Sequence, residues 1–209
     1  MLFLDELPEF NRNALEVMRG PLEDRQITVS RASCSLTYPC NFMLIASMNP
    51  CPCGYYGSED KKCICSSSQI SRYMSKISGP LLDRIDIHIE VLPVKFEKLE
   101  KEGKEETSME MKERVDKARK IQKERYQEYH IFSNAELTPA MMKKFCHLNK
   151  ECKEILEKAF QKLDLSARAY SRILKVARTI ADLEGSNDIC VHHISEAIQY
   201  RSLDRKYLV

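Results

Sequence analysis

Strand-type patterning in this chain is confined to its first 94 residues, and the remainder is patterned for helix. No feature constrains the fold more, because every strand must find its partners within that first stretch. LFLD reads as a short buried strand, and NFMLIASMNP as a second, closed by Pro50. IDIHIEVLPV predicts a third, with Ile85, Ile87, Ile89 and Val91 alternating and Pro93 ending it. Between the first two strands, QITVSRA and CSLTYPC read as the arms of a hairpin, with Ile27 and Val29 alternating on one arm. Phe10, Ala14, Leu15 and Met18 recur at helical spacing, which predicts one helix from Pro8 to Arg19 with those residues inward.

Residues 95–130 are charge-dense, with Gly103 as a break between a linker and a long helix from near Ser108. Val115, Ala118 and Ile121 make a narrow apolar stripe, so this helix is expected to be mostly solvated and laced with ion pairs. Residues 131–209 are helical throughout. Thr138-Pro139 caps one helix, and Asn149 to Leu163 carries Cys152, Ile155, Leu156, Ala159 and Leu163 at spacings of three and four. Ser166 caps another that turns Ala169, Ile173, Val176, Ala177, Ile180 and Ala181 inward and stops at Gly185. A last helix from about His192 presents Ile194, Ala197 and Ile198. Three parts are therefore expected: 1–94, 95–130 and 131–209.

At 43% hydrophobic and 31% charged, the chain suits one ordinary globular domain or two small ones. A net charge of +2 carries no nucleic-acid signal by itself, so any such partner must meet a local patch. No apolar run approaches the ~18 residues of a membrane span, and no signal-peptide pattern opens the sequence; the expectation is a cytoplasmic protein. Nine cysteines are odd in number and unevenly placed, unlike a secreted disulfide framework. Cys34, Cys40, Cys146, Cys152 and Cys190 read as small buried residues. Cys51, Cys53, Cys63 and Cys65 stand apart as two C-x-C pairs around the turn-rich GYYGSEDKK. Four thiolates suit tetrahedral zinc in a closed structural site, with no position left for catalysis. Free or partly oxidised thiols, and disulfides, remain open alternatives at this point. His192-His193 is expected as an exposed helix cap rather than a ligand pair, and His88 as a hydrogen-bonded structural residue.

An apolar strand ending in Asp5-Glu6 has the shape of a Walker B element. Where a parallel strand leaves its sheet, a first carboxylate can hold Mg²⁺ on a nucleotide and a second can orient or deprotonate the attacking water. About forty residues on, LIASMNP ends in the amide of Asn49. Arg84 follows within GPLLDRIDI, and Arg168 within LDLSARAYSRIL. Acid pair, asparagine, arginine, arginine is the order found along an AAA+ ATPase, while for each arginine alone a surface ion pair is the competing reading.

The longer segments make the resemblance specific. LFLDELPEFNRNALEVMRGPLEDRQITVSRAS, then SMNPCPCGYYG, then SGPLLDRIDIHIEV resemble the magnesium-chelatase-like AAA+ ATPases of the ComM/YifB group, and LSARAYSRILKVARTIADLEGS is similar to that group's lid helix. The resemblance runs almost end to end. It implies an α/β fold: the C-terminal half of a RecA-like core, with a hairpin ahead of sensor 1 and a Cys-rich loop, followed by an all-α lid. It also implies a homo-hexameric ring with ATP and Mg²⁺ between subunits. By position, Asp5 would bind the magnesium of Mg-ATP and Glu6 would be the catalytic carboxylate. Asn49 would be sensor 1, Arg84 the arginine finger, and Arg168 sensor 2. Related ring helicases project such a hairpin into the central channel, where Arg31 at the tip, and Arg25 nearer the base, would meet DNA. A hairpin that contacts a neighbouring subunit, or a threaded protein, are the alternatives. The Cys loop follows Asn49 directly, so ordering it bears on sensor 1 or on a pore-facing surface.

One departure from the family pattern is decisive: the sequence has no GxxxxGK[ST] phosphate loop. The expectation is therefore the C-terminal part of a larger ATPase, starting at Walker B and inactive alone. The resemblance implies DNA remodelling or translocation in DNA uptake or recombination. A protein-remodelling motor of the magnesium-chelatase type, or a non-catalytic zinc-binding assembly module, are the competing functions.

Overall fold

In the computed structural model, which describes residues 1–58, 61–92 and 106–201, the opening apolar run forms β1 (Leu2–Leu4). Contacts divide the chain into two units, Met1–Ile85 and Asp86–Tyr207. In the first, β1 pairs in parallel with a later strand that spans Leu44–Ala46, matching Leu4 with Ala46. Pairing continues past both strand ends, with the Ser47 N–H on the Leu4 carbonyl and the Leu7 N–H on the Ser47 carbonyl, each at 2.9 Å. Leu4, Leu7, Leu15, Ile77 and Leu81 form the small core beneath.

The single helix expected over Pro8–Arg19 is three pieces: a 3-10 turn (Leu7–Glu9), α1 (Arg12–Val17) and α2 (Arg19–Asp24). Pro8 suits the start of the first turn, and the Asn11 side chain then accepts the Asn13 N–H at 2.9 Å, restarting the helix on a new axis. Leu15 is buried as the spacing suggested, but Phe10 and Ala14 are exposed. Continuous helical spacing cannot show a break of this kind.

After α2 comes the expected hairpin, β2 (Gln26–Arg31) and β3 (Cys34–Pro39), antiparallel with Arg31 opposite Cys34. Leu44–Ala46 is then β4. The loop beyond it leads to α3 (Ser67–Met74), started by a capping box between Ser66 and Gln69, and α4 (Gly79–Leu82), capped by Ser78.

The third expected strand does not form. Residues 85–92 join no sheet, Ile87, Ile89 and Val91 are exposed, and the His88 N–H donates to the Tyr200 carbonyl instead. The alternation is real, but a strand exists only where another edge meets it, and none does among the described residues. The expected linker around Gly103, with Pro93 and Val94 before it, lies outside the described residues.

The second unit is helical: α5 (Ser108–Arg125), α6 (Pro139–Phe145), α7 (Lys150–Leu163), α8 (Ala167–Glu184) and α9 (Val191–Gln199). Thr107, Thr138, Asn149 and Ser166 cap four of them with their side chains, and Gly185 ends α8 at φ 78°. Tyr126, Leu137, Cys152, Leu156, Ile173, Ala177, Ile194 and Ala197 share one core. Beside it, buried Asp182 accepts both Nη groups of Arg125 at 2.9 and 2.6 Å, Asn134 Nδ2 at 2.8 Å, Gln122 Nε2 at 3.2 Å and Arg178 Nε at 3.1 Å. This network anchors the otherwise solvated α5 to α8. No helix among the described residues is long and apolar enough to cross a membrane.

Candidate active site and metal centre

Parallel pairing of β1 with β4 sends both chains out of the sheet at the same edge, where α/β proteins place ligands. Asp5 and Glu6 leave β1 there, and Ser47 and Asn49 leave β4. Asp5 Oδ1 accepts the Glu6 N–H at 3.0 Å and the Ser47 hydroxyl. Both bonds fall on one oxygen, so Oδ2 is the carboxylate atom open to a cation among the described residues. Glu6 is exposed and adopts a left-handed backbone, φ 51° and ψ 50°, that turns the chain sharply into the 3-10 turn. Asn49 is exposed at the same edge.

Tyr73 of α3 is buried. Burial raises the pKa of its phenol, the charge of Glu9 adds to this, and a hydrogen bond from the Asn49 backbone works against it; Glu6 and Cys51 are also neighbours. Just beyond α3, Lys76 pairs with Glu9 at 3.2 Å, holding that end of the helix to the turn that follows Glu6.

Arg84 lies in the same unit with its side chain only 9% exposed. Its Nε lies 3.1 Å from both the Arg19 carbonyl and Glu23 Oε2, and its Nη1 donates to the Pro80 carbonyl at 2.7 Å. Arg168 is in the second unit, exposed on the first turn of α8, with no ion pair or hydrogen bond from its side chain among the described residues. The neighbouring Arg172 bonds Asp86 within that same unit.

The four expected cysteines come together. Cys51, buried, lies 3.4 Å from Cys53 and 3.7 Å from Cys63, Cys53 and Cys63 are 3.5 Å apart, and all four sulfurs fall within 4.8 Å of one another. All are free thiols, at separations far beyond an S–S bond of about 2.05 Å. A tetrahedral ion with bonds of about 2.3 Å would set sulfur–sulfur edges of roughly 3.8 Å, so the cluster can hold a metal with little movement. Backbone N–H groups of Tyr55 and Ile64 pull Cys53 down to about 6. At Cys63 the Cys65 N–H acts in the same sense, but burial and the Cys53 and Cys51 sulfurs outweigh it and push the thiol up to about 12. A divalent cation bound here would draw protons from the Cys63 and Cys65 thiols, whose pKa values are raised.

A second trio, Glu184, His192 and His193, also lies within ligand range. His193 Nδ1 accepts the Cys190 N–H at 2.9 Å, which leaves Nε2 protonated and donating to Glu184. Both ring nitrogens of His193 are thereby committed; His193 caps α9, while His192 bonds Glu184. The expected exposure holds only for His192; His193 is fully buried.

The hairpin is exposed along both strands. Ile27 opposite Tyr38 and Val29 opposite Leu36 share one face, and hydroxyl pairs Thr28–Thr37 at 2.9 Å and Ser30–Ser35 at 3.0 Å share the other. Arg31 sits beside the tip. Arg25, at φ 54°, stands at the base, where its carbonyl accepts the Cys40 N–H at 2.7 Å.

With this geometry in place, comparison with known proteins is direct. Residues 1–99 match the family described as magnesium chelatase, subunit ChlI, and residues 105–201 match its C-terminal family. The chain belongs to the magnesium chelatase family. It is 45% identical over 206 residues to competence protein ComM of Haemophilus influenzae, a match that covers 98% of this chain and 39% of that protein. It is 42% identical over 208 residues to the uncharacterized protein YifB of Escherichia coli, covering 98% of this chain and 40% of that one. A Mycobacterium tuberculosis protein is 33% identical over 201 residues, covering 96% and 39%. The chain thus spans about two fifths of the length of these relatives.

Two residues at the site escaped sequence reasoning. Ser47 had a signal: it is the first polar residue after the apolar strand, two before Asn49. Tyr73 had none, because its contact depends on how α3 folds back across the loop.

Proposed function

We propose that this chain is part of an AAA+ ATPase, with Asp5 as the magnesium ligand, Glu6 as the residue that activates water, and Asn49 as sensor 1. The observation that carries this reading is the shared edge of β1 and β4, where the Asp5 carboxylate is held on one oxygen by Ser47 with Glu6 and Asn49 beside it. Bound Mg-ATP would supply the reacting phosphate and its charge; the chain's own groups position water and cation. Arg84 and Arg168 are assigned to phosphate contacts at a subunit interface of a hexameric ring. For Arg84 this requires release from Glu23 and two carbonyls. The sequence carries no phosphate loop, so turnover belongs to the full-length protein and is absent from this chain alone. Full-length Glu6→Gln is expected to bind ATP without turning it over; unchanged turnover would refute the assignment.

The action proposed is remodelling or translocation of DNA in DNA uptake or recombination, in the cytoplasm. Arg31 at an exposed tip and Arg25 at the base suit phosphate contact, and the competence name of one relative agrees with it. Full-length Arg31→Ala should lose salt-dependent DNA binding, and binding unaffected by the change would count against this role. A protein-remodelling motor is the second reading, favoured by the apolar hairpin face of Ile27, Val29, Leu36 and Tyr38. The cysteine cluster is assigned to structural zinc. Metal analysis of reduced protein should return about one zinc per chain, lost in Cys51→Ser with Cys53→Ser.

A further inference from the structure

The Asp5 carboxylate is held asymmetrically. β1 and β4 pair with Leu4 opposite Ala46, so the next residue on each chain, Asp5 and Ser47, leave the sheet side by side. The backbone of Ser47 fixes it there, its N–H on the Leu4 carbonyl and its carbonyl taking the Leu7 N–H, each at 2.9 Å. Its hydroxyl takes no part in this pairing and donates to Asp5 Oδ1, where the Glu6 N–H also donates at 3.0 Å. A carboxylate oxygen offers about two lone pairs, so two donors fill Oδ1 and leave Oδ2 to a cation. Calcium accepts a carboxylate through both oxygens in a wide, flexible shell, whereas magnesium demands a small, near-octahedral one in which it keeps several waters. The narrow bite of one carboxylate strains the right angles of that octahedron. A single available oxygen therefore suits magnesium and deprives calcium of its chelate.

We propose that Ser47 determines which cation the nucleotide site prefers: by occupying Oδ1 it confines Asp5 to ligation through one oxygen and biases the site towards magnesium over calcium. This rests on the reading of Asp5 as the magnesium ligand. Ser47 is a positioning residue and acts through Asp5. The strand pairing does not use its hydroxyl, and Asp5 is exposed, so water would satisfy that carboxylate in its place. What the hydroxyl adds is direction. Without it, Oδ1 keeps only the N–H of the adjacent Glu6, and the carboxylate can turn both oxygens to an ion.

The test measures binding of a non-hydrolysable ATP analogue to the full-length protein in chelator, in magnesium and in calcium, so that turnover does not enter the readout. In the unaltered protein, magnesium should strengthen binding more than calcium does. Ser47→Ala should weaken the magnesium-supported affinity roughly tenfold, as for loss of a group that orients a metal ligand, and leave the calcium-supported affinity equal or stronger. Ser47→Thr keeps the hydroxyl and should keep the preference. Affinity in chelator should be the same in all three proteins, which separates cation handling from loss of fold. No preference in the unaltered protein, an equal change with both cations, or no change with either would overturn the proposal. Asp5→Ala tells its failure from that of the reading beneath it. If Asp5→Ala retains the cation dependence of binding, Asp5 is not the ligand and the functional assignment fails. If that dependence is lost while Ser47→Ala keeps the preference, only the role of Ser47 fails.

Discussion

The two units of this chain reach order by different means. The first, Met1–Ile85, has two two-stranded sheets, short helices and a five-residue buried cluster. The second buries twelve residues in one cluster and adds a charged network around Asp182. A two-stranded sheet is marginal in water and three-residue strands are more so. The first unit therefore depends on specific local closures, the cysteine cluster foremost, whereas the second depends on its core. The residues assigned to chemistry concentrate in the first, where few apolar contacts leave the backbone free to be set by a metal, a hydroxyl or a nucleotide.

Breaking this contrast begins with the metal. Structural zinc in small domains contributes an apparent ~10–16 kcal/mol. Chelation should therefore raise hydrogen exchange across residues 43–77 most strongly and leave residues 106–201 unchanged. Equal acceleration in both units would end the comparison. The stripped protein also carries a thiolate at Cys53, whose value of about 6 lies below that of an ordinary thiol. At pH 7 Cys53 should alkylate ahead of the other eight cysteines, with half-maximal rate near pH 6. Its depressed value favours the metal-free fold at alkaline pH, an advantage that fades as pH falls towards 6.

In the second unit, Asp182→Ala takes from Arg125 and Arg178 the buried carboxylate that both of them pair with, at a cost of about 3–5 kcal/mol. Urea denaturation followed by helical circular dichroism should show it as a lowered midpoint. Leu81→Ala removes a residue only 1% exposed from the smaller core and should cost about 2–4 kcal/mol, confined to exchange in residues 1–85. The smallest effect belongs to the hairpin. Thr28→Ala breaks one exposed cross-strand hydroxyl pair and should cost less than about 1 kcal/mol. A larger loss would mean that the hairpin contributes to stability elsewhere in its unit.

The helical half was largely legible in the sequence, because caps and spacing act within a few residues: Thr138, Asn149, Ser166 and Gly185 all mark the ends they were expected to mark. The hairpin and the first two sheet strands were legible for the same reason. What failed needed knowledge of distant partners. Ile85, Ile87, Ile89 and Val91 alternate like a strand but meet no edge, and Asn11 interrupts a helical spacing that looked continuous. At the candidate site the four cysteines, Asp5, Glu6 and Asn49 could be named from pattern alone. The contact that sets Asp5, the Ser47 hydroxyl on its carboxylate, arises from strand register.

Glu6 holds a left-handed backbone, which costs a non-glycine residue about 1–2 kcal/mol. Selecting variants of this protein for heat resistance, without regard to turnover, should thus enrich Glu6→Gly, which relaxes the turn and discards the carboxylate. Persistence of glutamate through such a selection would show that this side chain holds the fold as well as serving the chemistry.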